Sequence, residues 1–178
     1  LCLFNLICRY MKKNIIEICS KSKQLTWKEE IFPCNIGSGG VSINKVEGDR
    51  CTPIGIFPLR EIFYRFDRVN KINTKLKKNQ IKKTFKWCDD PNDINYNKLI
   101  VGQYKASCEN LWRQDNIYDL IVVIGYNDNP VIPNKGSAIF MHAERQSKSE
   151  TKGCISLKIN HLINIVESLE KKTLIKIT

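Results

Sequence analysis

The stretch IFMHAERQSKSETKGCISL, Ile139 to Leu157, sets two short hydrophobic segments on either side of a polar loop. The first belongs to SAIFMHA, residues 137–143, which reads as a strand carrying His142 to its end. Cys154 begins the second. If the two segments are neighbours in one sheet, the loop returns a thiol to the side of an imidazole. Just upstream, YDLIVVIGYN (residues 118–127) has the β-branched centre of a buried central strand. Three strand-like runs around one loop point to a sheet protein.

Working outward, the remaining chain adds mostly strands. NIIEIC (14–19) and LTW (25–27) suggest a hairpin, and IFPCNIG (31–37) a further strand ending in glycines. Turn signals at Gly48-Asp49 and Pro53 precede a strand over 55–64. Residues 65–84, rich in Lys and Asn with sparse apolar positions, read as an exposed loop or a short helical insertion. Apolar residues at 162, 163, 165, 166 and 169 form a helical stripe with Asn160 as N-cap, and 174–177 make a closing strand. The reading is mainly β with one or two helices, one domain over 14–178, and no internal repeat. Residues 1–13 are expected to be an N-terminal extension, with the apolar LCLFNLICRY upstream of a start at Met11. That segment lacks the basic residues before an apolar core, and the small-residue cleavage site, of an export signal.

Composition narrows the class without choosing a function. Hydrophobic residues make up 42% of the 178 and charged residues 26%, an ordinary globular balance. No run reaches the ~18 apolar residues of a membrane-spanning helix. The net charge of +11 and pI near 9.3 suit an anionic partner, but Lys, Asn and Ile are abundant throughout, which equally reads as compositional drift. The eight cysteines show no C-x-x-C spacing, so neither a zinc ribbon nor a redox dithiol motif is present. GSGG (37–40) is not followed by the helix and Lys-Ser/Thr of a phosphate loop. The basic KKNQIKK (77–83) lacks interleaved aromatics and reads as a solvated loop.

A cysteine nucleophile needs a base and donors for the oxyanion it creates. Cys154 is the best-placed candidate, because Gly153 lets the backbone turn tightly before it and His142 ends the adjacent segment. Arg145, Lys148 and Lys152 would add positive potential favouring the thiolate. His161, at the start of the terminal helix, and Cys88 and Cys108, set among polar and aromatic residues, are rivals with structural readings.

Taken in order, GSGGV, KVEGD, TPIGIFPLR, WCDDP, NYNKL, LWR, YDL, GYN, IFMHAER and TKGCISL resemble the YkuD-type L,D-transpeptidase catalytic domain, from about Ile15 to Ile177. The resemblance implies a β-sandwich or barrel with a catalytic cysteine in a groove. It implies acyl transfer on peptidoglycan stem peptides through a thioester, with release of a terminal D-alanine. Cys154 would be nucleophile, His142 general base then acid, and the amides around Gly153 and Cys154 the oxyanion hole. No cofactor or metal is called for, nor a nucleic-acid partner, and a monomer is expected. Trp87, Asp89, Tyr96, Asn97, Tyr126 and Asn127, with Asp90 and Trp112, are polar-aromatic positions that would either line the groove or serve the scaffold.

Lys152 and Ser156 stand where better-known members keep His and Arg, and the His–Cys loop is shorter. Arg145 is therefore the candidate cation for the substrate carboxylate, while the residue orienting the imidazole is unassigned. A carboxypeptidase or amide hydrolase of the same fold, and a catalytically silent cell-wall or nucleic-acid binding domain, are the alternatives. The family implies the cell envelope or periplasm. Eight cysteines with no evident pairing suit a reducing compartment, which leaves a cytoplasmic alternative.

Overall fold

The computed structural model describes residues 14–145 and 150–178; the expected extension at 1–13 lies outside the described residues. In chain order the strands are β1 (Ile15–Cys19), β2 (Gln24–Trp27), β3 (Glu30–Pro33), β4 (Val41–Ser42), β5 (Thr52–Pro53), β6 (Gly55–Tyr64) and β7 (Lys77–Gln80). They continue with β8 (Phe85–Cys88), β9 (Leu99–Val101), β10 (Cys108–Asn110), β11 (Leu120–Ile124), β12 (Phe140–Ala143) and β13 (Ile155–Leu157), then helix α1 (Ile159–Glu167) and β14 (Leu174–Ile177).

β11 is the hub. All five of its residues are buried, and they alternate between two hydrophobic clusters: Leu120, Val122 and Ile124 enter one, Ile121 and Val123 the other. Burial on both faces is why the strand reads as a continuous apolar run. On one face, α1 contributes Leu162, Ile165 and Val166. On the other, the small sheet β10-β8-β9 brings Trp87, whose ring meets Phe140 edge-on at 5.1 Å.

The large sheet runs β13-β12-β11-β6-β14-β1-β2-β3, with β7 also on β6. Its ends meet: Asn35, just past β3, donates to Ser156 O at 2.8 Å and accepts from Ser156 N at 3.0 Å. The sheet thereby closes nearly into a barrel, and the expected mainly-β single domain is what the chain forms.

Two expectations need correcting. Residues 65–84 are neither an exposed loop nor helical. β7 adds to β6 in parallel, and Val69, Ile72, Leu76 and Ile81 are buried; widely spaced apolar anchors hold the segment while its lysines stay in water. The N-cap of α1 is Lys158 rather than Asn160. Its extended backbone places its carbonyl to accept from Leu162 N at 3.0 Å, leaving Asn160 inside the first turn.

Candidate active site

β12 and β13 run in parallel, with Met141 opposite Ile155 and His142 opposite Ser156. Met141 and Ile155 enter the cluster under α1, so Phe140, His142 and Cys154 share the opposite face. Cys154, one residue before β13, is thus level with Phe140 and diagonal to His142. Both candidate residues are nearly enclosed, at 8% and 6% exposure.

The thiol is held at two points. Cys154 Sγ donates to Ala138 O at 3.1 Å and accepts from Phe140 N at 3.4 Å. The imidazole is held by the backbone: Nδ1 lies 2.8 Å from Ala143 O. A carbonyl can only accept, so Nδ1 carries the hydrogen of the neutral ring and Nε2 keeps its lone pair. The Tyr118 ring packs edge-on against His142 at 5.4 Å, fixing the ring plane. The orienter that the sequence left unassigned is therefore a carbonyl and an aromatic wall.

Electrostatics differ from the expected thiolate. Burial, reinforced by Glu109, pushes the Cys154 thiol up to about 12. Burial also pulls His142 down to about 4, against the pull of its bond to Ala143. The resting pair is thus a neutral thiol and a neutral imidazole. The cations expected to favour thiolate do not overcome burial. Arg145 Nη2 is paired with Asp115 Oδ2 at 2.6 Å, Lys152 is exposed, and Lys148 lies outside the described residues. Lys45 does act on the thiol, opposing the rise; it is 3% exposed and paired with Asp49 at 2.7 Å.

Gly153 adopts φ +129, and a Cβ there would sit 2.8 Å from Cys51 O. Only glycine fits this left-handed, crowded position. Its N–H donates to Thr151 Oγ1 at 3.2 Å and its carbonyl accepts from Thr52 Oγ1 at 2.8 Å. Among the described residues no carbonyl takes the Cys154 N–H, which leaves that amide as the available oxyanion donor.

The polar-aromatic positions are placed beside the site but mostly face inward. Asn97, 7% exposed, accepts at Oδ1 from Trp87 Nε1 (2.9 Å) and Ala138 N (3.0 Å). Its Nδ2 donates to Tyr126 O (3.1 Å) and Asn127 O (2.8 Å). Asn127 Nδ2 donates to Ile132 O and Gly136 O, both at 2.9 Å. Tyr96 donates to Glu47 Oε2 and accepts from Gly136 N at 3.0 Å, and Tyr126 donates to Lys135 O at 2.5 Å. With these bonds made, both asparagines and Trp87 brace the turn at 136–138 rather than line a groove, and that turn holds the thiol. Asp89 keeps one buried carboxylate oxygen without a partner. Asp90 accepts from Asn92 N at 3.0 Å, and Trp112 lies under the Arg65 guanidinium at 3.6 Å. His161 is remote, its ring packed at 5.2 Å on Phe32.

Four residues join the site that were given no role in the sequence: Lys45, Glu109, Arg113 and Tyr118. Arg113 binds Asp115 through Nε (2.9 Å) and Nη2 (2.6 Å), approaches Glu109 at 3.8 Å, and lies over the Tyr118 ring at 5.4 Å. Burial raises the Glu109 carboxyl although 32% of its side chain meets solvent. KVEGD, LWR and YDL flagged three of the four as motif positions; Glu109 carried no signal. Among the described residues no cluster of His, Cys, Asp and Glu could hold a metal, and no helix is long and apolar enough to cross a membrane.

A thiol and an imidazole on neighbouring strands, with an Nε2 and an amide that have no hydrogen-bond partner among the described residues, are the groups nucleophilic cysteine chemistry requires. The chain belongs to the YkuD family, the L,D-transpeptidase catalytic domain, whose model matches residues 13–177. No curated protein sequence matches it significantly. Among solved structures it is similar to L,D-transpeptidase 1 of Mycobacterium tuberculosis, at 11% identity and TM-score 0.46, covering 94% of this chain and 60% of that one. It is also similar to Bd1075 of Bdellovibrio bacteriovorus, at 16% identity and TM-score 0.47, covering 93% and 48%. The chain thus spans about half to three-fifths of the length of these structures.

Proposed function

We propose that the chain is a cysteine-dependent acyltransferase that modifies peptidoglycan stem peptides in the cell envelope. The observation that carries the reading is the His142 Nδ1 bond to Ala143 O at 2.8 Å, which leaves Nε2 as a base on the strand beside Cys154. Because thiol and imidazole are both neutral at rest, proton transfer accompanies attack rather than preceding it. Cys154 Sγ attacks the carbonyl before the terminal D-alanine as its proton passes to His142 Nε2. The oxyanion meets the Cys154 N–H. His142 then returns the proton to the departing amine, leaving a thioester, and an acceptor amine resolves it with His142 as base again.

Arg145 and Arg113 converge on the carboxylate of Asp115, and Arg113 also reaches Glu109 at 3.8 Å, so this corner gathers two cations. It is the proposed seat of the substrate carboxylate. Glu109 flanks the same corner beside Arg113, while Trp87, Tyr96, Asn97, Tyr126 and Asn127 support the site from behind.

Intact-mass analysis with a stem tetrapeptide tests the reading. The expected result is an adduct equal to the peptide minus D-alanine on the wild type and none on Cys154→Ala. An unmodified wild type that still binds the peptide would support the silent binding domain instead. Adding a D-amino acid separates transfer from hydrolysis: transfer gives an exchanged stem peptide, hydrolysis a tripeptide.

A further inference from the structure

Cys88 on β8 and Cys108 on β10 are direct cross-strand partners, and the ladder shows which kind. Asp89 N donates to Ser107 O at 3.1 Å and Leu111 N to Phe85 O at 3.0 Å, which marks 89/107 and 85/111 as hydrogen-bonded pairs. Such pairs alternate along an antiparallel ladder, so Cys88 and Cys108 form a non-hydrogen-bonded pair. The backbone of Cys88 agrees. Its N–H donates to Lys98 O at 3.0 Å and its C=O accepts from Asn97 N at 2.9 Å, both away from β10.

In a pair of this kind the Cα atoms stand about 4.5 Å apart and the side chains leave the sheet on one face at their closest approach. A disulfide spans Cα separations of about 4.4–6.8 Å, so this site falls inside the window. Both thiols are free, and burial, with Cys88 beside it, pushes the Cys108 thiol up to about 11. Cys88 is fully buried and Cys108 partly exposed, giving one thiol that an oxidant can reach and one placed to resolve. No other two described cysteines are ladder partners.

We propose that Cys88 and Cys108 are a redox-modification site that closes into a cross-strand disulfide. The oxidant is another disulfide, either a small molecule such as glutathione disulfide or an exchange protein. The Cys108 thiolate attacks one sulfur of the oxidant and expels a thiolate. The Cys88 thiolate then attacks Cys108 Sγ and expels the second. The protein loses two electrons and two protons, and the oxidant's S–S bond is reduced to two thiols.

The consequence reaches the proposed active site without depending on its chemistry. Trp87 and Glu109 precede and follow the two cysteines and are themselves register partners. They face the other side of the small sheet, where Trp87 packs on Phe140. A disulfide would lock these strands behind the wall of the Cys154 site, and its state would report whether the chain resides in an oxidising or a reducing compartment.

The test uses the full, reduced chain at low concentration, treated with glutathione disulfide at pH 8.5, acid-quenched and mapped by non-reducing peptide mass spectrometry. The expected product is one intramolecular cross-link between the peptides holding Cys88 and Cys108. It should persist in Cys51→Ser and vanish in Cys108→Ser. A lasting glutathione adduct on Cys108, a cross-link to any other cysteine, or two intact thiols while exposed Cys19 reacts would each overturn the proposal.

Discussion

Thr52 and Gly153 lie 101 residues apart and are joined by one hydrogen bond, from the Thr52 hydroxyl to the Gly153 carbonyl at 2.8 Å. The Thr52 hydroxyl oxygen also accepts from Gly37 N at 2.9 Å, and Thr52 is fully buried. A single side chain therefore ties the glycine loop, the TPIGIF segment and the turn before Cys154 together. Thr52→Val keeps the shape and orphans an N–H and a C=O, each costing ~1–3 kcal/mol when buried. Chemical denaturation should show a loss of about 3 kcal/mol, with Thr52→Ser recovering most of it.

A neutral resting pair has a kinetic signature. With the Cys154 thiol near 12 and His142 near 4, the alkylation rate of Cys154 by iodoacetamide should climb steadily from pH 6 to pH 10. A plateau between pH 5 and 8, as a preformed thiolate–imidazolium pair gives, would contradict this electrostatic account.

His142 also predicts an acid-side loss of stability. Its pKa falls from 6.5 in the unfolded chain to about 4 in the fold. Its contribution is complete above pH 6.5 and is lost as pH falls through about 4, because the unfolded chain takes up the proton first. The change is on the order of 3 kcal/mol, readable from urea midpoints at pH 7 and pH 4.5. In His142→Gln that part of the slope should disappear.

Asn97 braces the turn at Ala138, which holds φ +51. Asn97→Leu would strand two carbonyls, an indole N–H and the Ala138 N–H, costing about 3 kcal/mol or more. Because Ala138 O holds the thiol, Cys154 alkylation should change rate as well, in samples shown to be folded by circular dichroism.

The Arg113–Arg145 corner predicts a split. Arg145 is 42% exposed, so Arg145→Ala should cost at most about 1 kcal/mol of stability while raising KM for a stem peptide about tenfold, the loss of one charge-assisted bond. Arg113 also packs on Tyr118, so Arg113→Ala should lower kcat too. Wild-type kinetics in both variants would remove the corner from the binding site.

Much of this was legible before the chain was folded. The apolar run at 120–124 announced a strand covered on both faces, because burial on two sides removes alternation. The meeting of His142 and Cys154 was a conditional expectation, resting on whether the two segments flanking one loop are sheet neighbours, and β12 and β13 do pair. Residues 65–84 were misjudged because isolated anchors such as Ile72 and Leu76 carry no period. Asn97 and Asn127 looked like groove residues because polar side chains usually meet solvent. Asn97 instead reaches carbonyls some thirty residues away, which no local pattern contains, and Asn127 closes its own loop through Ile132 O and Gly136 O.

By itself, the order of motifs determined the family and the mainly-β class and put forward Cys154 and His142 as the proposed thiol and imidazole, since these rest on residue type and chain neighbours. Only the tertiary structure decided the tautomer of His142, the neutral state of the pair, the engagement of Arg145 by Asp115, and the meeting of Cys88 with Cys108. Each depends on what a side chain finds across space, through burial, a carbonyl's direction or strand register. The sequence states these only once the sheet has closed.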